Sequence, residues 1–394
     1  MSANPGVCCN RTPTSGVTAA TSPSRVPALT GLRAVAALLV VGTHAAFATG
    51  KLTHGYVGAV YAHLEVGVAI FFVLTGFLLF RPWVRAAAAG SAPPDLTRYA
   101  RHRFRRILPG YVLTVLTVFA LYTVFTPGPN PGQTWYGLLR YLTFTQIYTD
   151  DYLITLLHTG LSQTWSLAVE VSFYAVLPGL AHLLLRCGWR PWRTLAALAA
   201  LAAITPLWLL VTDAEFLPNS AGMWLPAHLA WFVGGMALAV LEVAGAHCRP
   251  NAAISLAVVL YLAVSTMDTA SAPVVKALAY AAIATLVVAP IALNESGWYT
   301  KLLSTRPMVW LGEISYEIFL LHVPIMAVTT YLVLRWPLFT GSLPGLIAAT
   351  LALTIPAAWM LHRYTVRRTP TVAAPEALPT VRGPGVTPSP SPRH

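Results

Sequence analysis

Ten stretches of roughly 20 apolar residues recur along the 394-residue chain, at about 29–49, 60–80, 107–126, 165–185, 194–212, 223–245, 252–268, 274–293, 308–334 and 343–362. A helix of that length crosses the hydrocarbon core of a bilayer. The pattern predicts an all-α fold, a polytopic membrane helix bundle with about ten transmembrane helices. A further apolar patch at 135–157 is broken by Arg140, Asp150 and Asp151. It reads as an interfacial or re-entrant segment. Residues 1–28 form a polar N-terminal tail, 29–362 the membrane domain and 363–394 a Pro-rich C-terminal tail, both tails being expected to be disordered. No repeat of 20–50 residues and no inverted-repeat pattern is visible.

Composition narrows the class. Charged residues are 10% of the chain and hydrophobic ones 56%, with a mean hydropathy of +0.64. A soluble globular chain carries about 25% charged residues, so a soluble enzyme, a disordered protein and a disulfide scaffold are excluded. The net charge of +12 would suggest nucleic acid in a soluble protein. Here no nucleic-acid partner is expected, because zinc spacings and RNP-like aromatics are absent. The basic residues lie between the spans instead. With both tails, the connections 81–106, 186–193, 246–251 and 294–307 hold twenty of the 25 lysines and arginines. The other side holds Lys51, Arg140 and Arg335, while Arg33 and Lys276 lie within spans. The positive-inside rule then places both termini in the cytoplasm. Cys8, Cys9, Cys187 and Cys248 all fall on that side, where disulfides are not expected. The N-terminal thirty residues are polar, with Pro, Ser and Thr, and lack the layout of a signal peptide, so the first span is expected to serve as the insertion signal. The expected location is the cell (plasma) membrane, a bacterial inner membrane, with the lipid bilayer as a partner.

Ionisable residues inside a span cost about 2.5–3.5 kcal/mol on insertion scales, so they mark candidate chemistry. Arg33 and His44 in the first span are eleven residues apart, which puts them on one helical face, roughly 16.5 Å apart along the axis. Taken alone, Arg33 fits a cation snorkelling to the headgroups and His44 a hydrogen bond between helices. Their shared face favours a joint role. Glu170 in the fourth span shares a face with Ser166 and follows Trp165 by five residues. It reads as an ion-pair partner of Arg33, a protonated carboxyl, or a carboxylate that orients a catalytic histidine. His322 lies in the ninth span before Pro324, either structural or functional. Glu313 and Glu317 fit a capping role at that helix start. Thr75 and Gly76 read as close helix contacts, with Thr75 bonding back to its own backbone as the next reading. Lys276, near the outer end of its span, can snorkel. His54 and His63 read as solvated loop residues. Five arginines lie within Arg98–Arg106, a topology determinant that would also hold phosphates well.

These stretches together resemble the acyltransferase-3 family of membrane acyltransferases, from about Leu29 to His362. The motifs are the Arg33/His44 pair, the FFVLTGF stretch Phe71–Phe77, the basic entry Arg103, Arg106 and Pro109, and the WSLxxE start with Trp165, Ser166, Leu167, Glu170, Phe173 and Tyr174. The late GEISYEIFLLH places His322. Two positions depart from the pattern: Ala69 stands where the family often has Asp, with Glu65 a candidate stand-in, and Thr75 replaces the usual Ser. Some relatives carry an added SGNH hydrolase-like domain. Only 32 residues follow His362, so none is expected here.

The resemblance implies an O-acyltransferase that moves an acyl group, acetyl or succinyl before longer chains, from cytoplasmic acyl-CoA to a hydroxyl of a glycan, lipid-linked sugar or secondary metabolite. Acyl-CoA is the implied donor and co-substrate, a carbohydrate or metabolite the implied acceptor. No other cofactor and no metal is implied. His44 and Glu170 would be catalytic, with Glu170 holding the imidazole tautomer. Arg33, Arg103 and Arg106 would bind the donor, and Ser166, Trp165, His322 and Thr75 would support the site. The rival reading from the residues is a proton-coupled transporter or flippase for a lipid-linked sugar. A transporter leaves its substrate unmodified, whereas a transferase adds an acyl mass.

Overall fold

The computed structural model describes residues 27–149, 157–267 and 272–367. Cys8, Cys9, Asp150, Asp151 and Arg368 lie outside the described residues, as do nearly all of the two tails. Fifteen α-helices follow one another: α1 (Pro27–Ala48), α2 (Gly55–Ala62), α3 (Val66–Ala88), α4 (Leu96–Leu121), α5 (Trp135–Leu142), α6 (Trp165–Leu185), α7 (Pro191–Ala202), α8 (Ile204–Asp213), α9 (Leu225–Val243), α10 (Pro250–Val264), α11 (Pro273–Ala292), α12 (Trp298–Leu303), α13 (Arg306–Glu313), α14 (Ser315–Val328) and α15 (Leu343–Arg367). No strand occurs among the described residues.

Nine helical stretches among the described residues are long and apolar enough to cross a membrane. The tenth expected span, 252–268, is the shorter α10, with 15 residues. Its two ends are nevertheless tied to opposite faces of the bundle. At its start, Trp298 Nε1 beside α12 donates to Asn251 Oδ1 (3.0 Å). At its end, Tyr261 Oη donates to Val60 O (2.6 Å) and Tyr56 Oη to Leu262 O (3.3 Å). α12 lies with the N-terminal end of α1, where a Cβ on Gly31 would strike the Leu303 backbone. α2 lies beyond the other end of α1. α10 thus runs between the two ends of the bundle, alongside the nine longer helices, although it is itself shorter than a full span.

The face that holds the start of α1 carries the Arg-rich end of α3. Arg81 Nη2 and Arg85 Nη2 both reach Glu242 Oε1 at the end of α9 (2.7 Å each). At the opposite face Glu65, just before α3, pairs with Lys276 in the first turn of α11 and accepts from Tyr280 Oη. Lys276 is thus held by a carboxylate rather than simply snorkelling. His63 also differs from the sequence expectation. It is buried, and its Nδ1 donates to Ala59 O (2.7 Å), because the chain turns inward between α2 and α3. α3 and α9 form the central crossing. Gly76 and Gly235 permit it, since a Cβ on either would strike the backbone of the other helix. Small residues at such contacts are what let membrane helices approach closely.

Among its described residues, the segment between α4 and α6 contains no further helix long enough to span. α5 is a short helix with Trp135 and Tyr136 exposed, as suits an aromatic ring at a membrane interface. Thr145–Thr149 is non-helical and Thr159–Thr164 is a 3-10 helix kinked at Leu161, and Ile147, His158, Leu161, Gln163 and Thr164 are buried. Irregular backbone at membrane depth is tolerated where protein surrounds it.

Prolines break several helices, and each removes the N–H that would satisfy the carbonyl four residues earlier. Side chains from other elements satisfy two of these carbonyls. Pro178 in α6 frees Tyr174 O, which accepts from Tyr99 Oη of α4 (3.2 Å). Pro324 in α14 frees Leu320 O, which accepts from Gln163 Nε2 (2.8 Å). These two contacts dock the basic end of α4 and the re-entrant segment onto the helices that carry the candidate site.

Candidate active site

A cavity of about 780 Å³, counting its open mouth, lies between α1, α3, α4, α6 and α14. Its polar lining is Arg33, Thr75, Arg103, Arg106, Ser166, Glu170, Tyr174 and Tyr316. Six of the sequence-predicted residues thus come together in one space. The arginines arrive by helical geometry. Asp95 caps α4 by accepting from Arg98 N (2.6 Å). From there the spacing carries Tyr99, Arg103, Arg106 and Ile107 along one face. Arg98, Arg101 and Arg105 are exposed on other faces. The basic stripe is therefore part of the third span's helix, not a connection ahead of it.

None of the three cavity arginines makes a hydrogen bond or ion pair with another side chain among the described residues, and Arg103 Nε is a buried donor without a partner. Arg33 lies within electrostatic range of Arg106, Glu170 and Glu317 but touches no carboxylate. Glu170 is engaged elsewhere. Its Oε1 accepts from Thr75 Oγ1 (2.7 Å) and Tyr174 Oη (2.5 Å). Two expectations change here. Glu170 neither pairs with Arg33 nor reaches His44, and Thr75 bonds to this carboxylate rather than to its own backbone. Ser166 Oγ donates to Gln163 O (3.4 Å) while lining the cavity.

His44 and His322 meet beyond the inner end of the cavity. Their ring centroids are 5.0 Å apart and His322 Nε2 is 3.4 Å from His44 Nδ1. Phe71 and Phe319 line the cavity, and Phe319 also packs on His322 (6.0 Å between centroids). Each histidine has Nδ1 close to a carbonyl of its own helix: His44 to Val40 O (2.8 Å), His322 to Phe319 O (2.8 Å). A carbonyl accepts, so these contacts assign the proton to Nδ1 in both rings. That leaves a lone pair on His322 Nε2, facing His44 Nδ1, and another on His44 Nε2, which has no partner among the described residues. An imidazole fixed in this tautomer, with Nε2 open, is arranged to accept a proton. The backbone of α1 and His322 orient His44, the task the sequence reading gave to Glu170.

Trp165 stands apart from the cavity lining. It packs on His228 (5.0 Å), which Trp231 also covers (4.5 Å). Sequence reasoning missed Tyr174 and Tyr316 as lining, and it missed Gln163. A weak signal was present: Gln163, Ser166, Glu170 and Tyr174 form a polar row at helical spacing. Glu317 lies in the first turn of α14, where the helix N-terminus favours its charge, and it also ties two helices together. It is buried and accepts from His362 Nδ1 (3.0 Å), tying α14 to α15; Glu313 ends α13. Glu65, held by Lys276 and Tyr280, is committed to that contact, and Ala69 is fully buried. His158 also has a structural place. Its Nε2 contacts Gln133 Oε1 (2.7 Å) and its Nδ1 accepts from Gly160 N (3.1 Å).

An acyltransferase domain model matches residues 26–363. Curated relatives agree with it. The acyltransferase MdmB of Streptomyces mycarofaciens is 28% identical over 391 residues, covering 89% of this chain and 95% of that protein. The peptidoglycan O-acetyltransferase OatA of Listeria monocytogenes is 24% identical over 339 residues, covering 77% of this chain and 50% of that protein. The O-acetyltransferase OatA of Staphylococcus aureus is 23% identical over 328 residues, covering 77% and 51%. The chain thus spans about half the length of both OatA proteins. No solved structure matches. With nine helices among the described residues long and apolar enough to cross a membrane, and a family match over most of its length, the chain belongs to the acyltransferase-3 family of multi-pass membrane acyltransferases.

Proposed function

We propose that this protein is a membrane O-acyltransferase that takes an acyl group from a CoA thioester at its basic face and gives it to a hydroxyl of a glycan or secondary metabolite. The observation that carries the reading is the group of three guanidinium side chains, unpaired among the described residues, converging on one cavity, with an oriented histidine pair behind its Phe319 wall. Unpaired charge is costly at membrane depth. The cavity lining supplies one carboxylate, Glu170, against Arg33, Arg103 and Arg106. A donor bearing several phosphates supplies the missing anions, and guanidinium groups bind phosphates bidentately.

In this reading the donor's phosphates lie at Arg103 and Arg106, and Arg33 guides the thioester arm inward. His44 stands roughly 16.5 Å further along α1 at about 1.5 Å per residue. His44 Nε2 takes the proton of the acceptor hydroxyl while that oxygen attacks the thioester carbonyl. Collapse breaks the C–S bond, and the departing thiolate recovers the proton from His44, leaving an ester and free CoA. His322 steadies the Nδ1 edge of His44 as charge develops on the ring.

The test is donor-dependent acylation in membranes, read by mass spectrometry of envelope glycans and secreted metabolites against a deletion strain. His44→Ala and Arg33→Ala should each abolish the added acyl mass while the protein remains in the membrane. Normal product from His44→Ala would sink the mechanism, and transport of an unmodified compound would replace the function altogether.

A further inference from the structure

We infer that Gln163 is an acceptor-positioning residue, with its amide oxygen receiving a hydroxyl O–H of the acceptor beside the His44–His322 pair. The inference rests on the acyltransferase reading above. Gln163 is 2% exposed, and its Oε1 is a buried acceptor with no partner among the described residues. Buried polar atoms in folded proteins are nearly all hydrogen-bonded, and an exception calls for an explanation.

The orientation of this amide follows from proline chemistry. Pro324 has no N–H, so the carbonyl of Leu320 lacks its helical donor. Gln163 Nε2 fills that place at 2.8 Å. A carbonyl oxygen cannot donate, so the amide cannot be turned the other way round without losing this bond. Nε2 faces α14, and Oε1 is thereby held away from Leu320 O as a fixed acceptor. An amide oxygen accepts from O–H or N–H, which matches a hydroxyl-bearing acceptor and not an anionic donor.

Its place in the fold fits that role. Gln163 precedes Ser166, Glu170 and Tyr174 by three, seven and eleven residues, and all three line the cavity. Gln163 lies in the 3-10 segment just ahead of α6, and its own carbonyl accepts from Oγ of the cavity-lining Ser166 (3.4 Å), so it adjoins the cavity at this end of the row. Across from it, Leu320 lies between Phe319 and His322 in sequence, and Phe319 packs on the His322 ring. The amide is thus fastened to the turn of α14 that carries Phe319, which lines the cavity, and His322, which meets His44 of α1.

The test uses the full-length enzyme in membranes, radiolabelled acetyl-CoA as donor and the unacylated extract of a deletion strain as acceptor, titrated by dilution. Gln163→Met removes both the tie to Leu320 and the proposed acceptor contact. The half-saturating amount of extract should rise roughly tenfold, the loss expected of one hydrogen bond in a buried site, while the KM for acetyl-CoA stays within about twofold. Pro324→Ala separates the two roles, because the backbone N–H it restores can satisfy Leu320 O within the helix. If Gln163 holds the acceptor, Gln163→Met in the Pro324→Ala background still needs the extra extract. If Gln163 is a structural tie, the second substitution restores normal saturation, and the inference is overturned. It is equally overturned if Gln163→Met changes the acetyl-CoA KM and leaves acceptor saturation unchanged. No transfer by the unaltered enzyme would instead defeat the acyltransferase reading on which it rests.

Discussion

At the scale of single residues, the candidate site works through groups left unpaired. His44 has its Nδ1 edge fixed and its Nε2 open. Arg103 has a buried Nε without a partner. Glu170, by contrast, is fully engaged at Oε1 by Thr75 and Tyr174. On the proposed function this divides the roles: the carboxylate would shape the field of the cavity, and the arginines would bind the donor's anionic groups. Arg103→Lys keeps the charge but removes Nε and the planar fork. The KM for acetyl-CoA should rise about tenfold with a smaller change in kcat, a loss in the range expected of a charge-assisted hydrogen bond. An unchanged donor KM in steady-state assays of that variant would remove Arg103 from the donor site.

At the scale of elements, prolines that interrupt the hydrogen bonding of the spans serve as docking points. Tyr99 joins α4 to the carbonyl that Pro178 frees in α6, and Gln163 joins the re-entrant segment to the carbonyl that Pro324 frees in α14. Tyr99→Phe should cost about 1 kcal/mol of stability, the usual worth of one hydrogen bond. Thermal unfolding in detergent measures it. Combining it with Pro178→Ala, which lets the helix satisfy its own carbonyl, should recover most of the loss. A loss that persists in the double variant would show that Tyr99 acts through packing instead. The same logic explains why α4 starts at Leu96, well ahead of its apolar run: Asp95 caps it and Tyr99 anchors it, so the arginines are presented from a helix.

At the scale of the whole molecule, the basic residues and the cavity mouth share one face. Arg81 and Arg85 close the end of α3 on Glu242, and Arg106 is exposed at the mouth. The positive-inside rule assigns this face to the cytoplasm, where acyl-CoA would be met. Cys187, exposed just after α6, reports on it. With Cys8, Cys9 and Cys248 changed to Ser, a membrane-impermeant maleimide should label Cys187 in inverted vesicles and not in intact cells. Labelling from outside would reverse the orientation and place the cavity mouth on the wrong side for a cytoplasmic donor.

Much of this architecture follows from the sequence alone, because a bilayer makes hydrophobicity nearly a one-dimensional code. Length, apolar runs and the siting of arginines defined the crossings, and the eleven-residue spacing put Arg33 and His44 on one face of α1. A 15-residue α10 blurred one count, since its ends are held by Tyr56, Tyr261 and Trp298 rather than by its own length. What the sequence could not decide was which polar groups meet. Thr75 finding Glu170 across 95 positions, His322 finding His44 across 278, and Gln163 finding the carbonyl freed by Pro324 all depend on helices packing at particular angles and depths. Periodicity fixes the face on which a side chain lies. Only the packed bundle fixes the partner on the other side, and in a low-dielectric interior that partner decides whether a polar group is satisfied or left open for a substrate.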